Sequence, residues 1–267
     1  MSEAMGDDGG RGTHECWHVR SLAATYRASH RLRAHRHGWA QLVYARTGVM
    51  HVTVEDRVWL VPPTRAAWIP AGLPHAIEFR GEVALRTLYL APARAAQVVR
   101  PDEAGGAARA CTLEVSPPLS ALVLHILAIG MLDPAVPRHD RLAGLLTDLL
   151  ADAPALDLAL PLPADARARR FTEALRADPA SHHDLDALAA RCGASLRTIQ
   201  RHVQQQTGMP LDAWRQKARL THSIALLAAG SSVAAAAQAS GYESPSAFAA
   251  AFRRQFGVPP GRFTARA

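Results

Sequence analysis

Arg197, Gln200, Arg201 and Gln204 carry the plainest chemistry in this sequence. Their i, i+3, i+4, i+7 spacing sets them on one face of a helix. Arg and Gln end in planar forks whose donors and acceptors match guanine and adenine edges in the major groove of DNA. Such a face must be aimed by a second element, and one precedes it. Asp184 is a good N-cap, Leu185, Leu188, Ala189 and Cys192 form one apolar stripe, and Gly193 ends that helix as a left-handed cap. Ser195 caps the next helix, Leu196, Ile199 and Val203 point to a core, and Gly208 with Pro210 stops it. Residues 184–206 read as a helix-turn-helix.

The plan returns at 233–256. Val233, Ala236, Ala237 and Ser240 make a small-residue face, Gly241-Tyr242 turns the chain, and Ser244 caps a helix that starts with Pro245. Phe248, Ala251 and Phe252 anchor this helix, Arg253 and Arg254 lie further along it, and Gly257 with Pro259 ends it. Between the two units, Pro210 to Ala229 reads as one connecting helix. A single helical hairpin is common in all-α proteins. Two in tandem on a basic segment point to DNA. Residues 166–267 hold 14 Lys and Arg against 6 Asp and Glu, whereas 1–165 hold 16 against 17, so the net charge of +7 comes from the last hundred residues. A basic module beside a neutral one implies a polyanion partner for the basic part alone.

The rest of the 267 residues has ordinary globular composition, with 49% apolar and 20% charged residues. From about 20 to 92 the text reads as short strands: 41–44, 49–54, 58–61 and 84–90 are rich in β-branched and aromatic residues, and Pro62-Pro63, Pro70 and Pro74 forbid continuous helix. Such punctuation suggests a small antiparallel barrel. Leu119, Leu122, Val123, Ile126 and Leu127 then follow helical spacing, as do Leu142, Leu145, Leu146 and Leu149 in a helix expected from Asp140 to Ala151. Pro154, Pro161 and Pro163 mark a hinge. Residues 1–15 are acidic and glycine-rich, read as a disordered tail without a signal-peptide core. Cys16, Cys111 and Cys192 are odd in number and widely spaced, which suits a reducing cytoplasm. The greasy run from Leu119 to Leu132 is too short to span a bilayer, so no membrane partner is expected.

Residues 166–267 resemble the DNA-binding domain of the AraC/XylS family. The matching stretches are Leu188-Ala189, Ser195-Leu-Arg-Thr-Ile-Gln-Arg201, Gly208, Trp214-Arg215, Arg219-Leu220, Gly241-Tyr242-Glu-Ser-Pro-Ser-Ala-Phe248, Phe252, Phe256-Gly257 and Pro260. The resemblance implies DNA contacts from Arg197, Gln200 and Arg201 in the first unit. In the second it implies them from Pro245, Ser246, Ala249, Ala250 and Arg253. Ala249 and Ala250 leave that second face few polar groups, and Thr264 stands where the family often has arginine.

His35-Arg-His37-Gly-Trp39-Ala-Gln41 and Pro70-Ala-Gly72-Leu-Pro-His75 resemble the two motifs of cupin barrels and the sensor domains of AraC-type regulators. In metal-binding cupins the motifs read His-x-His-x3-Glu and Pro-x-Gly-x2-His. His35, His37 and His75 match, and Gln41 replaces the carboxylate. On a strand 35, 37 and 41 share one face. The resemblance implies an effector pocket or a divalent metal held by these residues; a metal-free pocket or plain core histidines are the alternatives. Trp39, Tyr44, Trp59, Trp68 and Phe79 are candidates to line that pocket.

The fold class expected is α+β: an N-terminal cupin-like β-barrel, a helical connector and a C-terminal all-α tandem helix-turn-helix domain. The divisions are a tail 1–15, a barrel 16–95, a connector with dimerisation face and hinge 96–165, and a DNA-binding domain 166–267. The function expected is a bacterial, cytoplasmic, sequence-specific transcription regulator, not an enzyme. Its partners would be double-stranded operator DNA, a small-molecule effector, RNA polymerase if it activates, and a second copy through Leu119 to Met131. A cupin oxygenase or isomerase using His35, His37 and His75 is the rival reading, and an architectural protein without sequence preference the third.

Overall fold

The computed structural model describes residues 17–27, 30–98, 109–179 and 184–263. The expected tail, Cys16 and Thr264 lie outside them. Alternation builds the first half. Strands β1 (Val19–Tyr26), β2 (Arg31–His35), β3 (Ala40–Ala45), β4 (Val49–Val54), β5 (Arg57–Val61), β6 (Arg65–Ile69), β7 (His75–Arg80) and β8 (Val83–Leu90) are followed by a short helix α1 (Pro92–Ala95). Val43, Met50, Val52, Trp59, Val61, Ile69, Ile77, Phe79 and Leu85 point inward and form one core between two antiparallel sheets. The β3–β4 turn requires glycine: at Gly48 φ is +81°, and a Cβ would stand 2.2 Å from the Glu82 carbonyl oxygen.

The expected barrel takes the form of two facing sheets. One runs β10-β1-β8-β3-β6-β9-β11 and the other β12-β5-β4-β7-β2. Here β9 is Cys111–Glu114, β10 Met131–Leu132, β11 Ala155–Leu156 and β12 Ala159–Pro161. All four short strands fall in the span read as a helical connector. Their apolar pairs are too brief to show a strand period, and only pairing with the sheets makes them strands. The proline-marked segment is likewise no free hinge. Leu156 pairs with Thr112, and Ala159 with Trp59.

Helices α2 (Pro117–Ile129) and α3 (Pro137–Ala151) cover the outer face of the seven-stranded sheet. Leu119, Leu122, Val123 and Ile126 pack there with Leu42, Tyr44, Trp68 and Leu88. The stripe expected to supply a dimer face is therefore used within the chain. Burying four such side chains against the sheet is worth several kcal/mol, at about 1.5–3 kcal/mol each.

The last hundred residues are helical: α4 (Ala166–Ala177), α5 (Leu185–Arg191), α6 (Leu196–Thr207), α7 (Leu211–Ala228), α8 (Val233–Ala239) and α9 (Pro245–Phe256), with a closing 3-10 turn at Pro260–Phe263. Helix α7 serves two cores at once. Trp214 and Ala218 pack with Ile199 and Val203, while Leu220, Ile224 and Leu227 pack with Phe248 and Phe252. Outward residues of the five-stranded sheet, with the two leucines that flank β12, enter both: Val58, Leu160 and Leu162 join the first, Val49, Leu60 and Leu158 the second.

Candidate DNA-reading face and histidine site

Each reading helix is set by a cap and a turn. Gly193 has φ of +81°, the left-handed bend that lets α5 and α6 meet in so few residues. The Ser195 hydroxyl accepts from Thr198 N–H at 3.3 Å, and the Ser244 hydroxyl accepts from Ala247 N–H at 3.2 Å. Ile199 and Val203 are fully buried, which turns Arg197, Gln200, Arg201 and Gln204 outward, all four exposed. Gln204 sits at the helix end and donates back to the Gly208 carbonyl at 3.5 Å. On α9, Phe248, Ala251, Phe252 and Phe256 are buried. Pro245, Ser246, Ala250, Arg253 and Arg254 are exposed and Ala249 is half-buried. The second face thus offers one hydroxyl and two cations, against two forked cations and two amides on the first.

The cupin-like residues converge. His35 ends β2, His75 opens β7, and the two are cross-strand partners. Their ring centroids lie 4.4 Å apart, with His37 at 5.0 Å from His75 and 5.9 Å from His35. One nitrogen from each ring lies within 4.8 Å of the others. The tautomers follow from the neighbours. Each Nδ1 faces a carbonyl: Arg33 for His35 and Trp39 for His37, both at 2.8 Å, and Leu73 for His75 at 2.9 Å. A carbonyl can only accept, so each Nδ1 carries a proton, and a neutral ring then keeps its lone pair on Nε2. Backbone carbonyls holding Nδ1–H are the arrangement that orients histidine ligands. His75 Nε2 is buried without a hydrogen-bond partner. Burial lowers the His75 pKa to about 4; the Leu73 carbonyl pulls the other way and His35 and His37 add to the lowering. Three ring nitrogens within 4.8 Å of one another, with His75 Nε2 buried and unpartnered, fit a divalent transition metal.

Gln41, 2% exposed on β3, completes the group. Its Oε1 lies 3.2 Å from His37 Nε2, and its Nε2 donates to Thr87 Oγ1 at 2.9 Å. Thr87 and Tyr89, whose ring stands edge-on to His37 at 5.1 Å, were missed in the sequence. The available signal was Thr87 itself, a fully buried polar residue inside the apolar strand β8. The expected aromatic lining does not assemble. Trp59 and Phe79 belong to the core between the sheets, Tyr44 and Trp68 to the core under α2 and α3. Side chains on opposite faces of a sheet cannot share a pocket. Trp39 alone stands by the histidines in sequence, beneath the Arg20 guanidinium at 5.7 Å.

Sensor and reader are also joined by polar contacts that no local pattern announces. Trp214 Nε1 donates to the Pro161 carbonyl at 2.6 Å, and Lys217 pairs with Asp157 at 3.2 Å. A cleft of about 110 Å³ lies there, lined among others by Val49, His51, Leu60, Ala218, Thr221 and His222. Among the described residues no helix is long and apolar enough to cross a membrane.

Comparison with known proteins agrees with both halves. An AraC-like ligand binding domain matches residues 17–175, and a helix-turn-helix domain matches residues 188–266. The HTH-type transcriptional regulator NimR of Escherichia coli K12 is 31% identical over 232 residues, covering 87% of this chain and 82% of that protein. The HTH-type transcriptional regulator RipA of Corynebacterium glutamicum is 36% identical over 104 residues, 39% of this chain and 31% of that one. Among solved structures, unsaturated fatty acid bound ToxT from Vibrio cholerae strain SCE256 aligns over 94% of this chain and 98% of its own, at 9% identity and a TM-score of 0.39. The chain belongs to the AraC family: it is a DNA-binding transcription regulator with an N-terminal ligand-binding domain and a C-terminal helix-turn-helix reader.

Proposed function

We propose that this regulator reads its operator chiefly through α6 and grips it through α9. Arg197, Gln200, Arg201 and Gln204 would face base edges. Pro245, Ser246, Ala249, Arg253 and Arg254 would follow the second groove and its phosphates. The observation that carries this reading is the exposure of the four forked side chains on α6 opposite the fully buried Ile199 and Val203. Selection of bound sequences from random DNA by the full chain tests it. A recovered motif whose preferred bases change with Arg197→Ala or Arg201→Ala supports it; a motif indifferent to both overturns it.

The effector would enter at His35, His37, Gln41 and His75, with a divalent metal as the bound ion. Such a metal, when present, supplies a Lewis-acid position for a ligand's donor atom. The divisions proposed are a sensor over 16–95, a linking region over 96–165 and a reader over 166–267. Work on DNA as part of transcription would be done in the cytoplasm, with RNA polymerase as partner if the protein activates. Leu145, 49% exposed on α3, offers a contact point for a homodimer in place of the covered α2 stripe.

A further inference from the structure

The orientation of the Gln41 amide can be deduced. The Thr87 hydroxyl donates its one proton to the Leu42 carbonyl at 2.9 Å. Toward Gln41 it can therefore only accept, so the amide NH2 faces Thr87 and Oε1 faces the histidines. His37 has its proton on Nδ1, held by the Trp39 carbonyl. With the His37 ring neutral, two acceptors, Oε1 and Nε2, then face each other at 3.2 Å in a part-buried place. Facing lone pairs repel, and a positive centre bound to both relieves the repulsion. Strand β3 holds Gln41 there at the cost of burying an amide in a run of six buried residues.

The charge of the group matters next. His35, His37, His75 and Gln41 are four neutral donors. A divalent ion held by them keeps both positive charges, unlike one held by a glutamate. The surrounding segment adds to this: from His30 to Gln41 there is no Asp or Glu, while Arg31, Arg33 and Arg36 are present and exposed. An anion is the ligand that such a site favours at an open coordination position.

We infer that Gln41 Oε1, aimed by Thr87, is a fourth metal ligand, and that its neutrality makes the sensor selective for a small carboxylate. This rests on the metal reading proposed above. The buried Thr87 is a positioning residue: without its hydroxyl the amide loses the partner that turns Oε1 toward the ion.

The test uses the full chain and Co2+ as a visible probe, with acetate as the anion and acetamide as its neutral counterpart. The wild type should bind one Co2+, and its absorption should change on adding acetate but not acetamide. Thr87→Val, which keeps the side-chain shape, should weaken Co2+ about 10-fold, in the range found for residues that orient ligands. Gln41→Glu should tighten Co2+ and weaken acetate, each by about 10-fold or more, because one negative charge is added beside the ion. Circular dichroism on each variant checks that the fold is kept. A wild type that binds no Co2+ overturns the metal reading and this inference with it. Co2+ binding that is unchanged in Thr87→Val and Gln41→Leu overturns the role of Gln41 alone, and means that a proton on His37 satisfies Oε1. Equal response to acetate and acetamide, or unaltered acetate affinity in Gln41→Glu, overturns the selectivity while leaving the metal in place.

Discussion

The Arg262 guanidinium donates to the Glu114 carboxylate at 2.6 Å, fastening the closing turn of the reader to strand β9 of the sensor. Glu114 also pairs with Arg65 at 3.5 Å, and the Arg65 guanidinium lies over the Phe263 ring at 4.8 Å. The two arginines are not equivalent. Arg65 is 2% exposed, and burial lowers its pKa against the opposing pull of Glu114; the Arg262 side chain is half exposed. Removing the carboxylate leaves a buried cation without its counter-charge, which costs more than removing a solvated partner. Glu114→Gln should therefore destabilise the chain by about 2 kcal/mol, and Arg262→Ala by less than about 1 kcal/mol. Urea unfolding of the full chain measures both, and equal costs would contradict the asymmetry.

The reading helices should divide their labour. Arg197→Ala, Gln200→Ala or Arg201→Ala should each cost about 1–3 kcal/mol in operator affinity and relax the preferred sequence at one position. Arg253→Ala or Arg254→Ala should weaken all sequences alike and lower the salt slope by about 1, because a lost phosphate contact releases one counterion fewer. Binding titrations at several salt concentrations separate the two behaviours. A changed base preference in Arg253→Ala would assign α9 to base reading instead.

With α7 packed into both helix-turn-helix cores, α6 and α9 are held at a fixed separation. The expected outcome is entry into successive major grooves on one side of the duplex, about 34 Å apart. Hydroxyl-radical footprinting should show two protected patches one helical turn apart per protomer. Protection confined to a single turn would mean that only one unit engages.

The legibility of this chain follows how local each cause is. Caps, turn glycines and apolar spacing lie within a few residues of each other, so both reading helices were predicted close to their observed limits. The histidine motifs were legible for the same reason, each lying within one short segment. Strands β9 to β12 were not: two to four residues carry no period, and only distant partners such as Thr112 for Leu156 define them. Thr87 was missed because its role depends on Leu42 and Gln41, 45 and 46 positions away. The aromatic pocket failed on a related point, since composition does not say which face of a sheet a ring takes.

If the histidine group is the effector site, its loss should silence the sensor without harming the reader. His75→Ala or His37→Ala in the full chain should abolish the effector-dependent change in a promoter reporter. Operator affinity without effector should stay within about 2-fold, because His37 contacts Trp39, Gln41 and Tyr89 and His75 contacts Leu73 and His35, all in the sensor. A normal effector response in both variants would move the site elsewhere.

Strand β7 offers a route from that site to the DNA reader. His75 opens it and points inward, while Glu78, three residues on, faces outward and approaches Arg176 of α4 at 4.0 Å. Across the sheet β7 pairs with β4 and β4 with β5, whose Val58 and Leu60 are buried in the reader's cores. A ligand at His75 can change DNA affinity only if it favours one arrangement of these parts over another. The Glu78–Arg176 pair is long at 4.0 Å and its carboxylate is more than a third exposed, so it is worth below about 1 kcal/mol. Glu78→Gln should therefore leave effector affinity and base preference unaltered, yet shrink the effector's effect on operator affinity up to about 5-fold. Operator titrations with and without saturating effector measure this coupling. An undiminished ratio in Glu78→Gln would exclude the ion pair as a route and leave the apolar contacts of β5 to carry the signal.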